Sequence, residues 1–185
     1  MLIDLAKPPA PAPAVQDLRA RLRLPEGFAI DAEQQRKLEG LVTLALRVIE
    51  ERTGHALLRR SFVLRSAAWN AEGALFLPRQ PLHAIETVEI ERESGGRETL
   101  TPANWRLTRV RGETALQLSR APVDGFAEVR FEAGHAADWS DAPEDLRQAV
   151  VEVAATYFEP PISDGGPPLS AAAAALLAPY RRIRL

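Results

Sequence analysis

The hydrophobic period changes twice along this chain, and those two changes constrain the fold more than any other feature. Between Asp31 and Gly54 apolar residues recur at i, i+3, i+4 and i+7, with Leu38, Leu41, Val42, Ala45, Val48 and Ile49 in one stripe. That spacing predicts an amphipathic helix. Asp31 suits the N-cap with Gln34 as its capping-box partner, and Gly54 suits the stop. Leu44 and Leu46 fall outside the stripe, so the helix is expected to bury more than one face.

After Gly54 the period drops to two. Phe62 and Leu64 alternate with Val63 and Arg65, and Leu75-Phe76-Leu77 runs into prolines. Val88 and Ile90 alternate with Glu89 and Glu91 as far as Gly95-Gly96, a hairpin signal. Trp105 and Leu107 pair in pattern with Leu116 and Leu118 across Arg111-Gly112-Glu113. Val129 and Phe131 close the series, with Glu128, Arg130 and Glu132 directed outward. Short antiparallel strands joined by tight turns are predicted over about 56–135.

The helical period returns at Asp141, where Asp141-Ala142-Pro143-Glu144 combines an N-cap, an early proline and a capping-box glutamate. Leu146, Ala149, Val150, Val153, Ala154, Tyr157 and Phe158 form the stripe, and Pro160-Pro161 stops it. This stripe and the one at 38–49 are the best candidates to pack on each other. A glycine–proline loop at 164–168 precedes Leu169-Ser170, the alanines 171–175 and Leu176-Leu177, a helix of small side chains. Pro179 ends it and leaves the tail Tyr180-Arg181-Arg182-Ile183-Arg184-Leu185.

At the other end, residues 6–14 alternate proline and alanine and predict an extended arm with no helix. Met1-Leu2-Ile3 and Leu5 suit either docking on a neighbour or a frayed terminus. Val15, Leu18 and Leu22 predict a short helix that Pro25 and Gly27 end.

The expected fold class is α+β: a helical core with a long helix at about 32–53 packed on one at about 142–159, further short helices, and an inserted antiparallel β subdomain. In domain terms, 1–14 is an arm, 15–178 a single domain with the β insertion, and 179–185 a docking tail. At 185 residues, one domain with a sizeable core is what the length allows.

The chemistry that the sequence omits narrows the function. Without cysteine there is no disulfide, thiolate nucleophile or cysteine–zinc site, which fits assembly in a reducing cytoplasm. The N-terminus lacks a signal-peptide pattern, and no run of about 18 apolar residues spans a bilayer. A net charge of -2 gives no global attraction to nucleic acid. His55, His83 and His135 lie far apart in sequence and outside any metal-binding spacing, and His135 with Asp138 supplies only two ligands. Glu50, Glu51, Glu89 and Glu91 read as solvent-facing. With no nucleophile elbow and no phosphate loop, no enzyme activity, catalytic residue, cofactor or metal is expected.

Basic residues cluster at Arg19, Arg21 and Arg23, at Arg59-Arg60, and at Arg181, Arg182 and Arg184. The first two clusters suit solubilising surface. In the tail, arginine alternates with Tyr180, Ile183 and Leu185, so charge comes with apolar anchors, as in segments that enter a partner's groove or add to its sheet. Capping of the fold and contact with DNA are the alternatives.

The order of motifs is distinctive as a set. A short DLRARLRL helix precedes a long one ending VIEERTG. LPRQPL then leads into a V-E-I strand, FEAG precedes a capped helix, and LLAPYRR closes the chain. Across about residues 15–185 this resembles the head–tail connector (adaptor) family of long-tailed phages and of phage-derived gene transfer agents. The resemblance implies a ring of copies, twelve in the particle, docked on a portal protein and extending the double-stranded DNA channel without sequence-specific binding. It implies a further neck (stopper) or tail-terminator protein as the next partner, and localisation in the particle neck after assembly in the bacterial cytoplasm. It also implies that residues 179–185 reach into the portal. A tail-side neck or tail-completion protein is the rival reading.

Overall fold

Asp31 and Gly54 bracket the longest helix of the computed structural model, which describes residues 1–5, 10–24, 31–67, 73–110, 113–119, 125–158 and 169–181. These residues fall into two units, one of 1–7 with 59–134 and one of 8–58 with 135–185.

In the helical unit, helix α1 spans Ala12–Arg21, α2 Ala32–Thr53, α3 Glu144–Phe158 and α4 Ala171–Leu176. The Asp31 carboxylate accepts from the Gln34 backbone N–H at 2.7 Å, and Gly54 takes φ 73° while its N–H donates to the Glu50 carbonyl. This left-handed stop favours a residue without Cβ. Leu38, Val42, Ala45, Leu46 and Ile49 of α2 are buried with Leu146, Ala149, Val150, Val153 and Ala154 of α3, and the two helices pack on each other. Leu44 is instead exposed, so of the two only Leu46 adds a buried residue to the predicted stripe.

Two helix starts differ from expectation. Helix α1 begins inside the Pro/Ala stretch, at Ala12, because Pro13 sits in the first turn, where a missing N–H loses no intrahelical bond. Residues 6–9 of the arm lie outside the described residues, as do Pro25 and Gly27. Helix α3 begins at Glu144: Asp141 closes a 3₁₀ turn over Trp139–Asp141, and the Pro143 carbonyl accepts the first helical bond, from Arg147.

The strand unit overturns the expectation of a helical core with an inserted β subdomain. Among the described residues eight strands build two antiparallel sheets: β1 Leu2–Asp4, β2 Arg60–Ser66, β3 Ala74–Phe76, β4 Leu82–Glu91, β5 Arg97–Thr99, β6 Trp105–Val110, β7 Glu113–Leu118 and β8 Phe126–Ala133. The five-stranded sheet runs β1-β2-β8-β4-β5 and the three-stranded one β3-β7-β6. β1 comes from the N-terminus, outside the predicted 56–135, and Leu2, Ile3 and Asp4 pair with Leu64, Val63 and Phe62. The protein is strand-rich because alternating residues on these strands close an apolar core of their own. Phe62 and Phe131 sit opposite each other, stacked at 5.6 Å, with Leu64, Val88 and Val129 buried around them. Sheets of this size with one apolar face are stable arrangements, not appendages.

Candidate functional site

The C-terminal tail carries the predicted contacts, so the environment of its root matters first. α4 is capped by Ser170, whose Oγ accepts from the Ala173 N–H at 3.1 Å, and its small side chains let it lie against α3. A 3₁₀ turn over Ala178–Tyr180 follows. It delivers Tyr180 to a cluster that the linear sequence does not suggest.

That cluster is built on two Gly-His-Ala segments, 54–56 and 134–136. Their pairing is set by backbone: His135 N–H donates to the Ala56 carbonyl at 3.1 Å, Ala136 N–H to the Leu57 carbonyl at 3.2 Å, and Leu58 bridges Ala136 in parallel. The rings are thereby stacked at 5.2 Å, with Nδ1 of His55 and Nε2 of His135 3.0 Å apart. One imidazole donates and the other accepts, so the pair excludes double protonation without loss of the bond. Tyr180 stands edge-on to both rings, at 5.1 Å from His55 and 6.0 Å from His135. Its hydroxyl donates to Asp145 Oδ1 at 2.9 Å, an oxygen that also accepts the Leu146 backbone N–H at 2.8 Å. Asp145 lies in the first turn of α3, where the helix dipole favours a carboxylate.

The electrostatics follow from burial. Desolvation holds His135 below the ordinary histidine range, against an opposing pull from Asp145. Tyr180 is pushed up to about 12, first by desolvation and then by its hydrogen bond to Asp145 and that carboxylate's charge. At neutral pH the hydroxyl therefore keeps its proton and acts as a donor, which suits a clasp and not a nucleophile or base. Edge-to-face aromatic pairs contribute about 0.5–1.5 kcal/mol each, so the clasp fixes the place from which the tail departs.

The other predicted residues are placed as follows. Arg181 is exposed, directly after the clasp. Arg182, Ile183, Arg184 and Leu185 lie outside the described residues. His83 is separate, with Nε2 3.8 Å from Glu132. His135 turns to His55, and Asp138 is exposed at the start of the 3₁₀ turn. Among the described residues no group of three or more His, Asp or Glu is poised to hold a metal, and no helix is long and apolar enough to cross a membrane. Glu50, expected in solvent, is only 6% exposed, and its Oε1 accepts from the Leu57 N–H. The carboxylate closes the backbone that leads from α2 into the first Gly-His-Ala segment. The basic cluster at 19–23 is partly engaged, with Arg21 paired to Glu152 at 2.7 Å.

Comparison with solved structures gives full-length matches. The chain is similar to a chain in the neck of an empty gene transfer agent (GTA) particle, computed with C6 symmetry, at 30% identity and a TM-score of 0.80. It is similar to one in the virion of a native GTA particle, at 30% identity and 0.77, and to one in the neck of a native GTA particle computed with C12 symmetry, at 27% and 0.73. Each match covers 100% of this chain and 97% of the other. No protein-family model and no curated protein matches the sequence. A likeness of this extent defines a structural protein of the phage-like neck class. The chain belongs to the head–tail connector (adaptor) family of long-tailed phages and gene transfer agents.

Proposed function

We propose that this chain is the adaptor subunit of a gene transfer agent or phage particle, a non-catalytic protein that forms a ring on the portal and joins capsid to tail. The observation that carries the reading is the full-length, 30% identical match to a chain of a particle neck, together with the six- and twelve-fold symmetry of the matched necks. Twelve copies around one axis extend the channel through which double-stranded DNA passes. A chain with net charge -2 suits that passage, because strong phosphate binding would hold the DNA in place.

The tail at 179–185 is assigned to the portal. Tyr180 is held by Asp145 and the two histidines, so Arg181 and the residues after it start from a fixed point. Ile183 and Leu185 then serve as apolar anchors, while Arg181, Arg182 and Arg184 pair with acidic portal groups. Repetition around a ring multiplies a modest contact of this kind.

Deleting 181–185 tests the assignment and leaves the clasp in place. The truncated protein is expected to keep its circular dichroism spectrum and to lose attachment to portal-bearing capsids in co-sedimentation. Normal attachment would move the docking site elsewhere. Retention by a tail terminator instead of the portal would favour the tail-side reading.

A further inference from the structure

β1 is an edge strand with a specific seat on β2. Leu2, Ile3 and Asp4 pair with Leu64, Val63 and Phe62. Beyond them the Leu5 N–H donates to the Ser61 carbonyl at 3.2 Å, and the Arg65 N–H to the Met1 carbonyl at 2.8 Å. Arg60 Nε donates to Asp4 Oδ2 at 2.8 Å from a side chain only 9% exposed. The seat is therefore matched in register and in charge to this one segment. Two features go beyond what a single chain uses. Met1, Ile3 and Leu5 alternate onto one face of the strand and are 74%, 41% and 46% exposed. Single exposed apolar residues are ordinary, whereas three together on one strand face mark a surface that something covers. Between β1 and α1 the sequence reads Ala6-Lys7-Pro8-Pro9-Ala10-Pro11. Proline-rich segments act as semi-rigid spacers of about 3.1 Å per residue, so one of this length reaches about 20 Å.

We propose that β1 is exchanged in the ring: residues 1–5 of each copy occupy the β2 edge of the next copy, in the pairing that the single chain shows. This rests on the ring reading above. The occupant of the edge is defined by the structure, because that segment already fills it. Exchanging an identical element between protomers keeps every one of its contacts, and only the path of the spacer changes. The matched necks have cyclic symmetry. Cyclic rings are closed by heterologous contacts, and a donated strand on one side of each copy with an acceptor edge on the other is a contact of that kind. In an isolated chain its own β1 holds the seat by proximity. In the ring the neighbour's β1 is held as near, and exchange carries the Met1, Ile3 and Leu5 face to the junction between copies, where the neighbour covers it.

The chain has no cysteine, so an engineered pair reports on this contact alone. Ile3→Cys with Val63→Cys places two thiols at opposed register positions, about 5.5 Å apart at Cα and within disulfide reach. The full-length double variant is oxidised in particles and, separately, as dilute isolated protein, and both are run on non-reducing gels. Particles are expected to give a ladder of covalent multimers, and the dilute protein a cross-linked monomer. Cross-linked monomer alone from particles whose necks hold a ring by electron microscopy overturns the exchange. No cross-link in either sample overturns the β1 seat, and the exchange with it. Charge reversal gives a second arm that needs no disulfide. Asp4→Arg alone, or Arg60→Asp alone, puts like charges at the seat and should lower ring occupancy on the order of tenfold. Cells making both variant chains should recover full rings, because alternating copies then meet with opposite charges at every seat, which neither chain achieves by itself. No recovery overturns the exchange. Wild-type particles without a ring of this chain sink the ring reading itself, which the variants do not touch.

Discussion

The two units differ in what holds their interiors together. In the strand unit the core around Phe62 and Phe131 is apolar, and most of the ion pairs lie outside it: Arg65 reaches Glu91, Arg92 reaches Glu98, and Arg97 reaches Glu89 and Glu91, while Arg79 is buried and the nearly buried Arg60 pairs with Asp4. The helical unit draws polar side chains inward. Trp139 Nε1 donates to Asp17 at 2.8 Å, Glu50 is buried against the Leu57 N–H, and the two histidines with Tyr180 and Asp145 form the clasp. The difference teaches where each unit is vulnerable. Packing defects should dominate in the first, and protonation should matter in the second.

The largest effect is expected from Phe131→Ala. Its ring is fully buried against Phe62, and truncating a buried phenylalanine costs about 3–5 kcal/mol. Denaturant unfolding would measure the loss, and amide hydrogen exchange would locate it. Protection should fall first in β2, β4 and β8, with α2 and α3 less affected. Equal loss in both sets of amides would break the comparison, since the two units would then unfold as one.

Next in size is the pH response of the helical unit. His135 is held below its ordinary value by burial, so the unfolded chain binds the extra proton first as pH falls through about 6.5. Stability is therefore present above that value and declines on acidification until the folded-state pKa is passed. Tyr180 acts at the other end. Its folded pKa is raised to about 12, so its contribution is complete below about 10 and is lost as pH rises from there to about 12. Tyr180→Phe should lower stability by about 1 kcal/mol at neutral pH, the scale of one hydrogen bond, and should remove the alkaline decline while leaving the acidic one. An alkaline decline that persists in Tyr180→Phe would take the clasp out of the explanation.

Much of this fold could be read in advance because its signals are local. The Asp31–Gln34 cap, the Gly54 stop and the register Trp105 to Leu118 and Leu107 to Leu116 each depend on residues close in sequence. The motif order that resembles connector proteins was legible for the same reason. What escaped depends on long-range pairing. β1 has only three residues, too few to show a period, and exists because β2 offers it an edge. The histidine pair joins positions 80 apart, and its one sequence trace is the repeated Gly-His-Ala, each placed where a preceding element ends. Glu50 looked solvent-facing because helix ends usually are. Its burial follows from the backbone turning back over it.

The smallest effect sharpens the comparison from the strand side. Arg97 is exposed, and its guanidinium lies 3.6 Å from Glu89 and 3.3 Å from Glu91. Exposed pairs of this kind contribute about 0–1 kcal/mol because water screens them and ordering two long side chains costs entropy. Arg97→Ala should therefore shift stability by no more than about 0.5 kcal/mol, and 0.5 M salt should shrink the shift further. The same salt should leave the Tyr180→Phe difference nearly unchanged, because its donor is a neutral, part-buried hydroxyl and not an exposed cation. If salt erases both differences alike, the clasp is no better shielded than the Arg97 pairs, and the contrast between the two units fails at its most direct point.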